Sequence, residues 1–318
     1  MATGPRPGRC AVLPEDEVAE RVDRWFAART LHGARASEGV RAHRGAPRVG
    51  VVLPARDEEA TVGSIVHALR DALTTLVPLV GEIVVVDSGS TDATAQAARD
   101  AGARVVTADS PPDFDGGKGA ALRTGLATLT SEIGVFLDAD VPDFDPGFVT
   151  GLVGPLLADP SLVLTKAFYD RPAAAGGGGR VTELVARPAI AELAPELAGF
   201  VQPLAGECAF RRDALLDDPV ASGYAVDLAL LWQTVRRHGL DAVAQVDLGR
   251  REHRHQDLPA LGRMAVQVRD ALRLVAGDAD ADADAIVTER LVPRRDPDSE
   301  TRLEPERIET RWLPPVGR

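Results

Sequence analysis

Asp138 and Asp140 stand one residue apart, directly after the apolar run Ile133-Gly134-Val135-Phe136-Leu137. Carboxylates at that spacing supply hard oxygen ligands, which suit Mg²⁺ or Mn²⁺ bridging a diphosphate. A solvated turn at a strand end fits the same spacing, so the neighbouring segments decide. Pro54-Ala55-Arg56-Asp57-Glu58-Glu59 follows Val49 to Leu53 and can hold a nucleobase and ribose through backbone groups and a carboxylate. An acidic first helical turn, favoured by the helix dipole, explains it equally. Asp87-Ser88-Gly89-Ser90-Thr91-Asp92 repeats that arrangement after Ile83 to Val86, and Ser90 or Thr91 is also a natural helix cap. Gly116-Gly117-Lys118-Gly119 joins a flexible backbone to an ammonium, a pairing suited to a phosphate or a uracil carbonyl. No Ser or Thr follows the lysine, so the segment is not a Walker loop.

These segments need a scaffold that brings them to one edge. From residue 48 the pattern alternates strand and helix. Strands are expected at Val49 to Leu53, Ile83 to Val86, Arg104 to Thr107 and the run ending at Leu137; helices at Ala60 to Leu76, Thr91 to Ala101 and after Gly119. Such alternation implies a parallel sheet covered on both faces, with ligands at the carboxyl ends of its strands. Residues 1–48 read as an extension with a helix from Glu15 to Thr30, and 49–165 as a nucleotide-binding half. Past Leu164 the rhythm changes. Residues 166–275 form a second half, with helices at Leu228 to His238 and Met264 to Val275 and a strand around Ala244 to Leu248. Residues 276–318, opening on an Asp-Ala repeat that lacks the glycine and closing glutamate of a calcium loop, read as a polar, mobile tail.

Composition narrows the function. A chain of 318 residues with 45% hydrophobic content can build a sizeable core. Its net charge of −12 argues against a nucleic-acid surface. Cys10 and Cys208 lie too far apart in sequence to suggest a disulfide framework or a zinc site, and a cytoplasmic location is expected. Neither a signal peptide nor a membrane-spanning segment is read from the hydropathy pattern. Lysine occurs only at Lys118 and Lys166 among 36 basic residues, and both fall beside candidate site segments.

Taken together, the four strand-end motifs resemble the nucleotide-binding half of GT-A glycosyltransferases. Further segments are similar to glucosyl-3-phosphoglycerate synthases: Leu164-Thr165-Lys166-Ala167-Phe168-Tyr169, Gly178-Gly179-Arg180-Val181-Thr182-Glu183-Leu184-Val185-Ala186-Arg187-Pro188, Gln202-Pro203-Leu204-Ala205-Gly206-Glu207 and Arg251-Glu252-His253-Arg254. The likeness runs from about Val49 to Val275. It implies a GT-A α/β fold, a Rossmann-like and mostly parallel sheet with a smaller acceptor-binding half. The implied reaction moves glucose from UDP-glucose to the 2-hydroxyl of D-3-phosphoglycerate with retention, and a homodimer is expected.

By that resemblance the nucleotide-sugar pocket comprises Pro54, Ala55, Arg56, Glu58, Ser88, Lys118, Asp138, Ala139, Asp140, Gly179 and Asp227, with Lys118, Asp140 and Asp227 closest to the chemistry. Asp140 and His253 bind the divalent metal, Mg²⁺ first and Mn²⁺ second. Arg180, Val181, Thr182, Arg251 and His255 hold the acceptor, and Arg251, His253 and His255 alternate so as to face one side of an extended segment. Arginine suits the acceptor because its planar fork matches carboxylate and phosphate. Plainer roles fit some of these segments as well: Gly176 to Gly179 as a flexible loop and Arg187 as an ion-pair partner.

Three positions depart from the family pattern: Ala139 replaces a common serine, Asp227 a glutamate expected on the sugar hydroxyls, and His255 an asparagine. The shorter Asp227 keeps open a mannosyl-3-phosphoglycerate synthase using GDP-mannose. A lipid-phosphate acceptor lacks an amphipathic basic helix to support it. A non-catalytic nucleotide-sugar binding protein is the remaining class, against which the retained Asp138, Asp140, His253, Arg180 and Lys118 all stand.

Overall fold

Six of the seven residues of Val49–Ala55 are buried, as they must be in a strand covered on both faces. The computed structural model describes residues 15–42, 49–110, 114, 116–170, 179–251, 257–277, 285–294 and 302–317. Its strands are β1 (Thr30–His32), β2 (Val49–Ala55), β3 (Val80–Asp87), β4 (Arg104–Thr107), β5 (Ile133–Phe136), β6 (Leu164–Asp170), β7 (Cys208–Arg211), β8 (Val220–Ala221), β9 (Val243–Arg250), β10 (Ala285–Arg294) and β11 (Arg302–Leu313). The helices are α1 (Glu15–Arg29), α2 (Gly33–Ala36), α3 (Glu38–Ala42), α4 (Val62–Arg70), α5 (Thr94–Asp100), α6 (Gly117–Thr128), α7 (Gly147–Ala158), α8 (Arg187–Leu193), α9 (Val226–His238) and α10 (Leu258–Ala276).

One sheet runs in the order β1-β9-β6-β7-β5-β2-β3-β4. All its pairings are parallel except those of β7, which is antiparallel to both β5 and β6. Apolar clusters fill both faces: Phe136, Phe210, Leu228 and Leu272 belong to one, and Val51, Ile65, Leu152 and Val246 to the other. The boundary expected between residues 165 and 166 falls inside β6, so the sheet is continuous across both halves. Residues past Leu164, where the alternation was expected to lapse, supply three of its strands. The N-terminal α1 packs on this frame through Trp25, whose ring lies 4.4 Å from that of Phe200 and whose indole N–H donates to the carbonyl of Val243 at 2.8 Å.

Two expectations need correction. The helix expected from Ala60 to Leu76 is α-helical only through Arg70 and continues as a wider turn over Asp71–Leu76. There the Thr74 hydroxyl bonds back to the carbonyl of Arg70 and competes with the helical ladder. The tail is not simply a mobile polar segment: β10 and β11 pair antiparallel, and Trp312 and Leu313 continue the pairing onto β8. Its charges are partnered across strands and onto α10. Arg290 meets Glu306 at 2.5 Å, and Thr288 donates to the buried carboxylate of Asp270 at 3.2 Å. Among the described residues no helix is long and apolar enough to cross a membrane.

Candidate active site

The turns after β2 and β3 are stitched together by the acids and hydroxyls of their own motifs. Asp57, the only non-glycine residue with positive φ among those described (57°), accepts from the backbone N–H of Thr91 at 2.7 Å and from its hydroxyl at 3.1 Å. Glu59 accepts from Ala93 N–H at 2.8 Å, while Asp92 accepts from Glu59 N–H at 3.1 Å. Thr61 donates to the carbonyl of Ala139 at 2.6 Å and ties this pair of turns to the Asp138–Asp140 segment. Asp57, Glu59 and Asp92 thus build the rim, leaving Pro54, Ala55, Arg56, Glu58 and Ser88 on the wall of a cavity of about 630 Å³.

Lys118 enters that cavity from the first turn of α6. Its ammonium donates to Asp138 at 3.0 Å and to Asp227 at 3.1 Å. Burial opposes its charge, but the carboxylates of Asp138 and Asp227 outweigh burial and raise its pKa above the ordinary lysine value. Two glycines make this approach possible. A Cβ on Gly119 would strike the carbonyl of Ala221. One on Gly206 would meet the Lys118 ammonium and lie 2.6 Å from an Asp138 oxygen.

Asp227 occupies the first turn of α9 and is buried. Burial raises its pKa against the pull of Lys118 and Lys166. Lys166, on β6, is 1% exposed, and its ammonium donates to the backbone carbonyl of Asp227 at 2.9 Å. Burial lowers the pKa of Lys166 and pushes the thiol of Cys208, its register partner on β7, up to about 11.

Asp138 and Asp140 converge: one guanidinium nitrogen of Arg251 lies 3.4 Å from an oxygen of each. Burial, then repulsion by Asp138, raises the pKa of Asp140 against the attraction of Arg251 and Lys118. A carboxylate pair crowded in this way fits a divalent cation, which neutralises the repulsion and prefers oxygen ligands. Among the described residues no group of three or more His, Cys, Asp or Glu completes a cation site. His253, the expected further ligand, and His255 lie outside the described residues.

Gly179, Arg180, Val181 and Thr182 also line the cavity, with Gly179 at φ 87° opening the turn that leads to α8. Ala139 and Asp227 line the same cavity. Arg251 does not line it. Its side chain is 1% exposed, packed over the ring of Tyr169 at 5.2 Å and ion-paired with Glu207. Arg187 makes an ion pair with Glu183 at 2.9 Å. The cavity also takes residues that sequence reasoning did not assign: Tyr169, Leu204, Gly206, Tyr224, Met264 and Gln267. Gln267, on α10, accepts from the N–H of Tyr224 at 3.1 Å and so supports the turn ahead of Asp227. The signal for Leu204 and Gly206 was present in the Gln202 to Glu207 motif; for α10 it was masked by an ordinary apolar helical face.

Residues 50–217 match the model of glycosyl transferase family 2. The chain is 47% identical over 261 residues to a glucosyl-3-phosphoglycerate synthase of Mycolicibacterium paratuberculosis, covering 77% of this chain and 78% of that protein. Among solved structures it is similar to a mannosyl-3-phosphoglycerate synthase from Rubrobacter xylanophilus, with a TM-score of 0.79 at 34% identity over 93% of this chain and 97% of the other. It is also similar to the glucosyl-3-phosphoglycerate synthase of Mycobacterium tuberculosis in complex with Mg²⁺ and uridine-diphosphate, with a TM-score of 0.74 at 40% identity over 91% and 98% of the two chains. That enzyme in complex with Mn²⁺, uridine-diphosphate-glucose and phosphoglyceric acid gives a TM-score of 0.67 at 40% identity, covering 90% of each chain. With a GT-A sheet that brings Asp138 and Asp140, after β5, beside Lys118 of α6 and Asp227 of α9, and with these relatives, the chain is a family 2 glycosyltransferase and belongs to the glucosyl-3-phosphoglycerate synthases.

Proposed function

We propose that this chain transfers glucose from UDP-glucose to the 2-hydroxyl of D-3-phosphoglycerate, forming glucosyl-3-phosphoglycerate with retention. The observation that carries the reading is the clustering of Lys118, Asp138, Asp140 and Asp227 in a cavity that Gly179, Arg180 and Thr182 also line. Residues 49–165 then form the donor half and 166–275 the acceptor half. Pro54, Ala55, Glu58 and Ser88 hold the uridine. Asp140, with Asp138 beside it and His253 joining, holds a divalent cation. When bound, that cation offsets negative charge on the departing nucleotide diphosphate.

The chain's own residues do the positioning. Lys118 presents its ammonium between the diphosphate side and Asp227, where a fixed positive charge favours the departing phosphate. Asp227 faces the sugar and accepts from its hydroxyls. Arg180 and Thr182 grip the anionic acceptor. Asp138 and Asp227 are held by Lys118, and Asp140 is committed to the cation, so none of the three is assigned as a covalent nucleophile. The acceptor hydroxyl therefore attacks from the side the leaving group departs, passing its proton to the departing phosphate oxygen. Detection of a glycosyl-enzyme adduct by mass spectrometry would refute that route.

Nucleotide release measured with UDP-glucose and with GDP-mannose, each with and without 3-phosphoglycerate, tests the assignment. Acceptor-dependent UDP release is expected; release from GDP-mannose alone would transfer the assignment to the mannosyl reaction, the second reading, which the short Asp227 favours. A homodimer belongs to the same proposal, supported by the outward face of the β10–β11 hairpin, where Val287, Leu291 and Leu303 are exposed. A cytoplasmic location does too, in keeping with the free thiol of Cys208.

A further inference from the structure

Glu207 is 1% exposed at the carboxyl side of Gly206, and its backbone carbonyl accepts from the N–H of Ala167 at 3.0 Å. Its carboxylate forms an ion pair with one nitrogen of the Arg251 guanidinium, its one cationic partner among the described residues. A buried carboxylate is costly unless a cation matches it. Arg251 is divided in turn. The nitrogen facing Glu207 also donates to the Tyr169 hydroxyl at 3.3 Å, while the other nitrogen reaches Asp138 and Asp140 only at 3.4 Å, longer than a good charge-assisted bond.

Without its partner, Arg251 would direct its whole charge at the acidic pair. An arginine drawn onto Asp138 and Asp140 would compete with any cation those carboxylates bind. Removal of Glu207 therefore acts on the acidic pair although Glu207 is outside the cavity wall.

We propose that Glu207 is a positioning residue that holds Arg251 by its far edge and thereby keeps the charge of Asp138 and Asp140 available to a divalent cation. This rests on the metal-dependent reading above. It assigns Glu207 a role through Arg251, and makes Arg251 a support of the acidic pair.

The test is Mn²⁺ binding in the presence of UDP, followed by calorimetry on the full chain, for the wild type and Glu207→Gln, each also in an Arg251→Met background. Glu207→Gln is expected to weaken Mn²⁺ about tenfold, the low end of what partners of metal ligands typically cost. UDP binding without metal should be unchanged, which a general loss of structure would not permit. In the Arg251→Met background the same substitution should change Mn²⁺ affinity little, because the arginine it restrains is gone. Equal Mn²⁺ affinity for wild type and Glu207→Gln overturns the inference alone, as does an undiminished effect in the Arg251→Met background. A wild type that binds no Mn²⁺ overturns both the inference and the metal-dependent reading. If Glu207→Gln does not fold, Glu207→Asp keeps the charge and withdraws it by one methylene. Weakening of Mn²⁺ in the same direction is then expected, and wild-type affinity would overturn the inference.

Discussion

The ammonium of Lys166 donates to the backbone carbonyl of Asp227 at 2.9 Å, from a position on β6 that solvent does not reach. That bond reaches across 61 residues of sequence and pins the first turn of α9, so the Asp227 carboxylate stays facing Lys118. Lys166 and Lys118 are the only lysines in the chain, and they hold the same aspartate from its two ends, one by its carbonyl and the other by its carboxylate.

Replacing Lys166 by Met should therefore lower turnover more than it weakens UDP binding. A hydrogen bond from a charged donor contributes about 1.5–3 kcal/mol, which corresponds to a loss in kcat on the order of ten- to a hundredfold if Asp227 moves. Steady-state kinetics beside calorimetric UDP binding would check it; a fall in Tm with kcat intact would assign Lys166 to stability only.

Gly206→Ala should impair the donor site without unfolding the protein. The added methyl would meet the Lys118 ammonium and the Asp138 carboxylate, the ends of side chains that can shift only by breaking their ion pair. UDP affinity is expected to fall by about tenfold, the equivalent of about 1.4 kcal/mol, in an isothermal titration, with circular dichroism unchanged.

Arg180→Ala should raise the KM for 3-phosphoglycerate by about tenfold or more, since a charge-assisted contact is worth about 1.5–3 kcal/mol, and leave the KM for UDP-glucose near the wild-type value. Equal effects on both substrates would remove Arg180 from the acceptor site.

Asp159 ties α1 to the end of α7. It accepts from the Ser161 hydroxyl at 2.6 Å and pairs with Arg29 at 2.8 Å, and these contacts, the Ser161 hydrogen bond foremost, draw its pKa down to about 2. A carboxylate with a depressed folded-state pKa stabilises the fold above its unfolded value, near 3.8, and loses that contribution as pH falls through about 2. Asp159→Asn should lower Tm by a few degrees or less at neutral pH, because the pair is partly exposed. Melting curves should show the difference shrinking between about pH 4 and pH 2.

Leu291→Glu combined with Leu303→Glu places charge on the exposed face of the hairpin, whose opposite side buries Ile308 and Thr310. If that face joins two copies, light scattering should show a dimer for the wild type and a monomer for the variant. A variant with the wild-type mass would place the interface elsewhere.

How much of this was legible in the sequence follows from the range over which each signal acts. Runs such as Val49 to Leu53 and Ile83 to Val86, closed by Pro, Asp, Ser and Gly, locate strands and the turns at their ends, because burial and turn chemistry act within a few residues. That was enough to place Pro54, Ser88, Lys118 and Asp138 along one edge. The pairing of Lys118 with Asp227, 109 residues on, depends on the packing of α6 against the turn before α9, which no local period encodes. The short β7 went unread for a related reason: unlike β4 and β5, it stands outside the strand–helix alternation, and the two strands it pairs with antiparallel define it. Tertiary structure alone also placed Arg251 beneath the acidic pair, since the choice between cavity wall and buried ion pair is made by Glu207 and Tyr169, both distant in sequence. The hairpin of β10 and β11 looked like a solvated tail because its charges read as exposed one by one, and the fold pairs them across strands and onto α10.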